Sequence, residues 1–117
     1  LISMSGRREI QTLCKENVAG GKGKLIMKHL LGPAELKDKC GMYASVTIEV
    51  GATLGYHEHH GEAEAYYILS GEGLYSDNGT PTPVKPGDVL YCADGTGHGL
   101  ENTGSEPLVF MALIIKE

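Results

Sequence analysis

Two histidines and a nearby carboxylate have the spacing expected of a metal site. His57 and His59 lie two residues apart in the segment 55–60. Alternate residues of a β-strand project from the same face, so both imidazoles are predicted to lie close enough to share one ion. His60 has the opposite parity and is predicted to point away. Glu64 follows a short turn that contains glycine, and a hairpin would return it beside the first pair.

A second carboxylate competes with Glu64 for the same role. Glu62 has the same parity and lies two residues earlier, so a shifted turn would bring it to the ion instead. Tyr56 and Tyr66 are candidates for a catalytic role, because a tyrosine hydroxyl near a metal can donate a proton or orient a substrate. The alternative for each tyrosine is a core aromatic whose polar end lies at the rim.

The elements that position these residues are predicted from length, charge and glycine content. A chain of 117 residues with 41% apolar residues is typical of one folded domain. Its net charge of −5, with no block of basic residues, argues against a nucleic-acid partner. Seventeen glycines indicate many tight turns, and many turns in a short chain indicate many short strands.

An all-β sandwich or barrel is therefore predicted, with one short helix beginning at Gly32-Pro33 and a hairpin turn at Asp77-Asn78-Gly79. Strands are predicted at residues 24–31, 42–50, 54–59, 64–69, 73–76, 83–84, 88–92, 97–102 and 108–115. Residues 1–22 are interpreted as an N-terminal arm that ends in a glycine-rich loop. Residues 23–117 are interpreted as a single barrel domain.

Two stretches of the chain resemble the two sequence motifs of the cupin superfamily. Residues 51–71 match the first motif as G-x5-H-x-H-x4-E-x6-G, with the histidines and glutamate at 57, 59 and 64. Residues 87–102 resemble the second as G-x5-A-x-G-x2-H-x3-N, with the histidine at 98. Ala93 stands where the family usually has proline, which changes turn rigidity and removes no ligand. The chain is identified as a member of the small, single-domain, metal-binding cupins similar to oxalate decarboxylase.

The resemblance implies a double-stranded β-helix, the jelly-roll barrel of the cupins, with a metal inside its mouth. It implies four ligands, carried over from the motifs: His57, His59, Glu64 and His98. Three imidazoles and one carboxylate suit one divalent transition-metal ion, with manganese or iron favoured and zinc, nickel, cobalt or copper compatible. Neutral imidazole is the ligating form, so binding should weaken as the pH falls through the imidazole range.

The resemblance also implies a metal-dependent enzyme that acts on a small oxygenated or carboxylate-bearing molecule. Dioxygenation, decarboxylation, isomerisation and lyase chemistry all remain open. Oxalate chemistry usually benefits from an arginine at the substrate carboxylate, and Arg7 and Arg8, outside the predicted barrel, are the only arginines in the chain. They would reach the mouth only if the N-terminal arm folds over it. The alternative function is a non-catalytic, metal-stabilised sensor or small-ligand-binding module.

Strand parity makes further predictions about the barrel walls. If Glu64 points inward, so do Tyr66 and Ile68, while Tyr67 and Leu69 point outward. An outward apolar pair, together with a last strand that is apolar on both faces, predicts a homodimer. The inner cavity wall is expected mostly from Met27, Met42, Ala44, Val46, Ile48, Leu54, Val89, Phe110 and Ala112.

The cysteines and the apolar runs predict where the protein is found. The three cysteines, Cys14, Cys40 and Cys92, are odd in number and widely spaced, which is untypical of a disulfide framework. The first residues lack the long apolar stretch of a signal peptide. The longest apolar run, residues 108–115, is far shorter than the ~20 residues of a membrane-spanning helix. We therefore expect a cytoplasmic protein with no membrane partner.

Overall fold

The computed structural model describes residues 5–117, which form ten strands, one short helix and one 3₁₀ turn. The strands, β1 to β10 in chain order, span Gln11–Glu16, Lys24–His29, Cys40–Ile48, Thr53–Glu58, Glu62–Ser70, Gly73–Asp77, Thr80–Val84, Val89–Cys92, Gly97–Asn102 and Leu108–Lys116. The 3₁₀ turn at Val18–Gly20 lies between β1 and β2, and helix α1 at Pro33–Leu36 lies between β2 and β3.

The described strands form two antiparallel sheets. One sheet has the order β1-β2-β3-β10-β5-β8, and the other has the order β4-β9-β6-β7. From β3 to β6 the chain changes sheet at every connection, and strands far apart in sequence become neighbours: β10 pairs with β3, and β9 with β4. This arrangement is the predicted double-stranded β-helix, and the all-β fold class is confirmed.

The core lies between the two sheets and follows the predicted period of two. In β3, Ala44, Val46 and Ile48 are buried. In β5, Tyr66 and Ile68 are almost fully buried, whereas the side chains between and beyond them, Tyr67 and Leu69, are exposed. The predicted inward and outward faces of β5 are therefore confirmed.

The prediction that Val89 lines the inner cavity wall is wrong. It lies on β8 with 70% of its surface exposed, and the inward positions of that strand are Leu90 and Cys92. The sequence 88–92 runs Asp, Val, Leu, Tyr, Cys, so both faces of the strand carry apolar side chains. The parity of β8 is set by its pairing with β5, where Val89 lies opposite the outward Tyr67.

The segment before residue 24 contains a strand that the sequence pattern did not indicate. Residues Gln11–Glu16 form β1 and pair with β2 over six consecutive positions. They are mostly exposed, so the segment lacks the alternation that marks a half-buried strand. The division into an arm at 1–22 and a barrel at 23–117 stays a prediction, and residues 1–4 of that arm lie outside the described residues.

Helix α1 and the hairpin turn confirm two local predictions. Pro33 begins a single helical turn, and the backbone N–H of Gly32, just before it, donates to the carboxylate of Glu35 at 3.0 Å. Asn78 and Gly79, with φ of 50° and 96°, join β6 to β7. In residues 5–117, no helix has the length and apolar character needed to cross a membrane.

Candidate metal centre

Four side chains from three strands and one strand end converge at one end of the barrel. His57 lies on β4, His59 just beyond it, Glu64 on β5 and His98 on β9. The ligand atoms of these four residues all lie within 4.8 Å of one another. The Oε1 atom of Glu64 lies 2.9 Å from the Nε2 atom of His98, 3.0 Å from that of His59 and 3.8 Å from that of His57.

Each imidazole is held in place through its other ring nitrogen. The Nδ1 atom of His57 donates to the backbone carbonyl of Gly55 at 2.8 Å. That of His59 donates to the carboxylate of Glu62 at 2.8 Å. That of His98 lies 2.9 Å from the hydroxyl of Tyr75. A proton held on Nδ1 leaves the lone pair on Nε2, so the rings are oriented to present acceptor atoms to the centre.

The donor geometry fits a cation. Two ligands bound cis at about 2.1 Å from one ion lie about 3 Å apart, which is the separation between several of these atoms. The Nε2 atoms of His59 and His98 are themselves 3.1 Å apart. At such distances the ring nitrogens and the carboxylate oxygen need a positive charge between them, which either a proton on a ring nitrogen or a metal ion supplies. The cluster is therefore suited to a divalent metal ion.

A β-bulge in β4 orients the His57 side chain toward the cluster. The register between β4 and β9 shifts between Leu54 and His57, so that His57 lies opposite His98. Gly55 lies within this bulge, and its carbonyl accepts the proton of His57 Nδ1. A side chain at Gly55 would collide with the backbone carbonyl of Ala19 in the 3₁₀ turn, so this position requires glycine.

The two candidate carboxylates occupy different sides of His59. Glu64, with a side chain only 3% exposed, faces the Nε2 atoms, whereas Glu62, 29% exposed, binds the outer nitrogen Nδ1 of the same ring. Glu64 thus has the position of a ligand and Glu62 that of an orienting partner. His60 points away from the cluster, as predicted: its side chain is exposed and lies 3.4 Å from Glu58.

The cluster keeps Glu64 ionised and shifts the pKa values of His57 and His98 in opposite directions. Burial of Glu64 would raise its pKa, but hydrogen bonds from His57 and His98 outweigh burial and lower the pKa to about 2. The interaction with Glu64 raises the pKa of His57. Burial lowers the pKa of His98, because it disfavours the charged imidazolium.

The structure separates the two tyrosines considered for catalysis. Tyr66 is stacked on His98, and its hydroxyl lies 3.3 Å from His98 Nε2. Tyr56 is about half exposed and its hydroxyl lies 3.4 Å from Asn78, so the fold does not bring it to the cluster. Tyr75, one of four tyrosines that the sequence places in or near the barrel with Tyr56, Tyr66 and Tyr91, orients His98, a contact that spacing did not predict because only the pairing of β6 with β9 brings the two together.

An apolar cavity of about 230 Å³ opens from the cluster into the barrel. His57, His59, Glu64 and Tyr66 reach it at the donor end. Six predicted wall residues line it: Met27, Met42, Val46, Leu54, Phe110 and Ala112. Ala44 and Ile48 are buried in the core but are not part of the lining.

The N-terminal segment contributes to this cavity through its backbone turn rather than through its arginines. Val18 and Ala19 of the 3₁₀ turn line the cavity. Arg8 instead donates to the carboxylate of Glu35 at 3.1 Å, beside helix α1. Neither Arg7 nor Arg8 is part of the lining among the described residues.

Known proteins share both the sequence pattern and the fold of this chain. The sequence profile of the cupin domain matches residues 44–114. The chain is 44% identical over 99 residues to the oxalate-binding protein of Thermotoga maritima, covering 85% of this chain and 82% of that protein. A crystal structure of a predicted oxalate decarboxylase from Thermotoga maritima superposes with a TM-score of 0.90 at 42% identity, covering 93% of this chain and 95% of the other.

A longer relative shares only part of its length with this chain. Oxalate decarboxylase of Bacillus subtilis is 36% identical over 75 residues, which is 60% of this chain but 20% of that protein. The match therefore concerns one barrel within a much larger protein.

The hydrogen bond between Tyr75 and His98 can be tested through folding stability. In Tyr75→Phe the Nδ1 atom of a buried imidazole loses its hydrogen-bond partner, so we expect the free energy of unfolding to fall by about 1–3 kcal/mol. Tyr91→Phe is the matched control, because Tyr91 is 59% exposed and its change should stay within about 0.5 kcal/mol. Urea denaturation of both variants measures the difference. Equal stabilities would contradict the anchoring role of Tyr75.

Proposed function

The chain belongs to the cupin family, and on that premise we propose that it is a metal-dependent enzyme acting on a small organic molecule. The observation that carries the proposal is the convergence of four donor atoms, three of them from residues that line an apolar cavity. His57, His59, Glu64 and His98 are proposed to hold one divalent transition-metal ion. Manganese or iron suits this set best, and zinc, nickel, cobalt or copper is compatible with it.

The different roles of the side chains around the cluster support the interpretation of this region as an active site. A divalent ion held by His57, His59, Glu64 and His98 would supply Lewis acidity or redox chemistry beside the cavity. Gly55, Glu62 and Tyr75 orient the three imidazoles through Nδ1. Tyr66 is the candidate for orienting a substrate: burial raises the pKa of its hydroxyl well above the usual value, so the hydroxyl stays protonated and can donate a hydrogen bond. The apolar wall restricts water around the reacting group.

The relatives support the proposal that the substrate is an oxygenated or carboxylate-bearing molecule. One is named an oxalate-binding protein, and a solved structure is described as a predicted oxalate decarboxylase. Decarboxylation, dioxygenation, isomerisation and lyase chemistry are each compatible with a metal, a protonated tyrosine and an apolar wall.

A non-catalytic ligand-binding or sensor module is the second candidate function. The name of the oxalate-binding relative favours it, and so does the scarcity of acid-base groups along the cavity, where Tyr66 is the one polar lining residue besides the donors among those described. Substrate consumption by the metal-loaded protein, followed by NMR over a panel of small carboxylates, separates the two. Turnover that is lost in Tyr66→Phe supports the enzyme, whereas binding without turnover supports the module.

We also propose that the protein is cytoplasmic and that it forms a homodimer. Cys14, Cys40 and Cys92 are free thiols, which suits a reducing compartment. The outer face of the larger sheet carries exposed apolar side chains on adjacent strands β5 and β8, and Tyr67 lies directly opposite Val89. A second copy of the chain would cover this face.

The metal site is tested by elemental analysis of the purified protein. We expect about one transition-metal ion per chain in the wild type and loss of most of it in His98→Ala and in His57→Ala, because each variant removes one of four donors. His60→Ala is the control, since the His60 side chain is exposed and points away. Full metal content in His98→Ala would contradict the proposed ligand set.

Metal affinity should also depend on pH. Because the pKa of His57 is raised, this imidazole takes up a proton at a higher pH than an ordinary histidine and stops ligating first. His98, whose pKa is lowered, stays neutral to lower pH, and Glu64 stays ionised. Chelator competition should show affinity falling between about pH 8 and pH 5, by up to about tenfold per unit for each displaced proton. A constant affinity over this range would argue against imidazole ligation.

The proposed dimer is tested by light scattering coupled to size exclusion at micromolar concentration. We expect a dimer for the wild type and a monomer for Tyr67→Lys, since a charge would then have to be buried at the contact. Val50→Lys is the matched control, because Val50 is 55% exposed but lies off the apolar face formed by β5 and β8. A monomeric wild type would contradict the proposal.

A further inference from the structure

The cavity beside the donor cluster has no positive side chain of its own. Among the described residues, no lysine or arginine lines it, and Glu64 is its one acidic residue. Arg8 is already paired with Glu35 at 3.1 Å. A ligand in this cavity must therefore find any charge compensation at the metal.

Charge balance then limits what the cavity can hold. A divalent ion together with the ionised Glu64 carries a single net positive charge, because the imidazole ligands are neutral. A monoanion would cancel that charge. A dianion would leave a net negative charge among apolar side chains, which is costly without a cationic partner.

The remaining lining is apolar and adaptable. The wall away from the donors includes Met27, Met42 and Phe110, and Phe110 packs against Tyr66 with ring centroids 4.5 Å apart. Met27 and Met42 are only partly buried, and unbranched methionine side chains adjust to the shape of what they contact. This wall is suited to an alkyl or similar apolar group.

We propose that the cavity takes a monoanion with two oxygen donors at one end and an apolar body of a few carbon atoms at the other. The 2-oxo and 2-hydroxy monocarboxylates are the chemical class with these features. Their paired oxygens would occupy the two positions that four protein donors leave on a six-coordinate ion. The inference rests on the metal site of the proposed function, and it distinguishes this cavity from one built for a small dianion such as oxalate.

The test is a calorimetric titration of the metal-loaded protein, after elemental analysis has shown that the ion is bound. The probes are pyruvate, 2-oxobutanoate, 2-oxopentanoate and oxalate, and each affinity is divided by that of the same probe for the free ion. We expect this normalised affinity to rise about fourfold per added methylene, as burial of apolar surface predicts. Oxalate should have the lowest normalised affinity of the four.

Two substitutions on β2 sharpen the test. Met27→Lys places a cation in the cavity wall, so the normalised affinity for oxalate should rise at least about tenfold while that for 2-oxopentanoate falls. Ile26→Lys is the control, because Ile26 is the preceding residue of the same strand and is not part of the lining, and it should change neither affinity.

The possible outcomes separate the metal site from the ligand class. A protein that holds no metal overturns the metal site and the ligand class with it. A metal-loaded protein whose normalised affinities are flat across the monocarboxylates, or higher for oxalate than for pyruvate, overturns the ligand class and leaves the metal site standing. The chain-length series uses the wild type, so its result does not depend on whether Met27→Lys folds.

Discussion

The structure depends on the requirement that three imidazole lone pairs and one carboxylate oxygen meet at one point. These atoms lie about 3 Å apart and need a positive charge between them, so the fold must hold each ring in one orientation. It does so through three different outer partners: a backbone carbonyl, the carboxylate of Glu62 and the hydroxyl of Tyr75. A centre arranged in this way is stabilised by a proton or by a metal cation among the four donors.

The register of the strands places the imidazole nitrogens and the Glu64 carboxylate at that point. His57 and His98 are direct partners on β4 and β9, although four other strands lie between these two in the order of the chain. Glu64 enters from the other sheet, on β5, with the parity that also buries Tyr66 and Ile68. A slip of one residue in β5 would turn all three outward together. The same register of β5 therefore places Glu64 in the donor cluster and Tyr66 and Ile68 in the hydrophobic core.

The cavity wall has few charged side chains among the described residues, and this limits what the cavity can bind. Its wall comes from apolar side chains of β2, β3 and β10 and from the 3₁₀ turn that precedes β2. The turn packs so closely on β4 that neither Gly21 nor Gly55 has room for a side chain. The N-terminal segment thereby closes part of the cavity with backbone and small side chains, while Arg8 stays at helix α1. Among residues 5–117, positive charge can reach this cavity only at the donor cluster, on a protonated imidazole or on a bound cation.

The sequence by itself determined the fold class, the four converging residues and most of the cavity wall. It could do so because strand parity is a local property and the two motifs carry their own spacing. Strand parity left open which carboxylate faces the Nε2 atoms, since Glu62 and Glu64 share a parity. The motif spacing favoured Glu64, and in the tertiary structure Glu64 faces Nε2 of His59 while Glu62 faces its Nδ1. Tertiary structure alone decided that Tyr75 supports His98, that β1 pairs with β2, and that Val89 faces outward. The Tyr75–His98 contact and the outward face of Val89 depend on pairing between segments more than 20 residues apart, which no local pattern of residue types records.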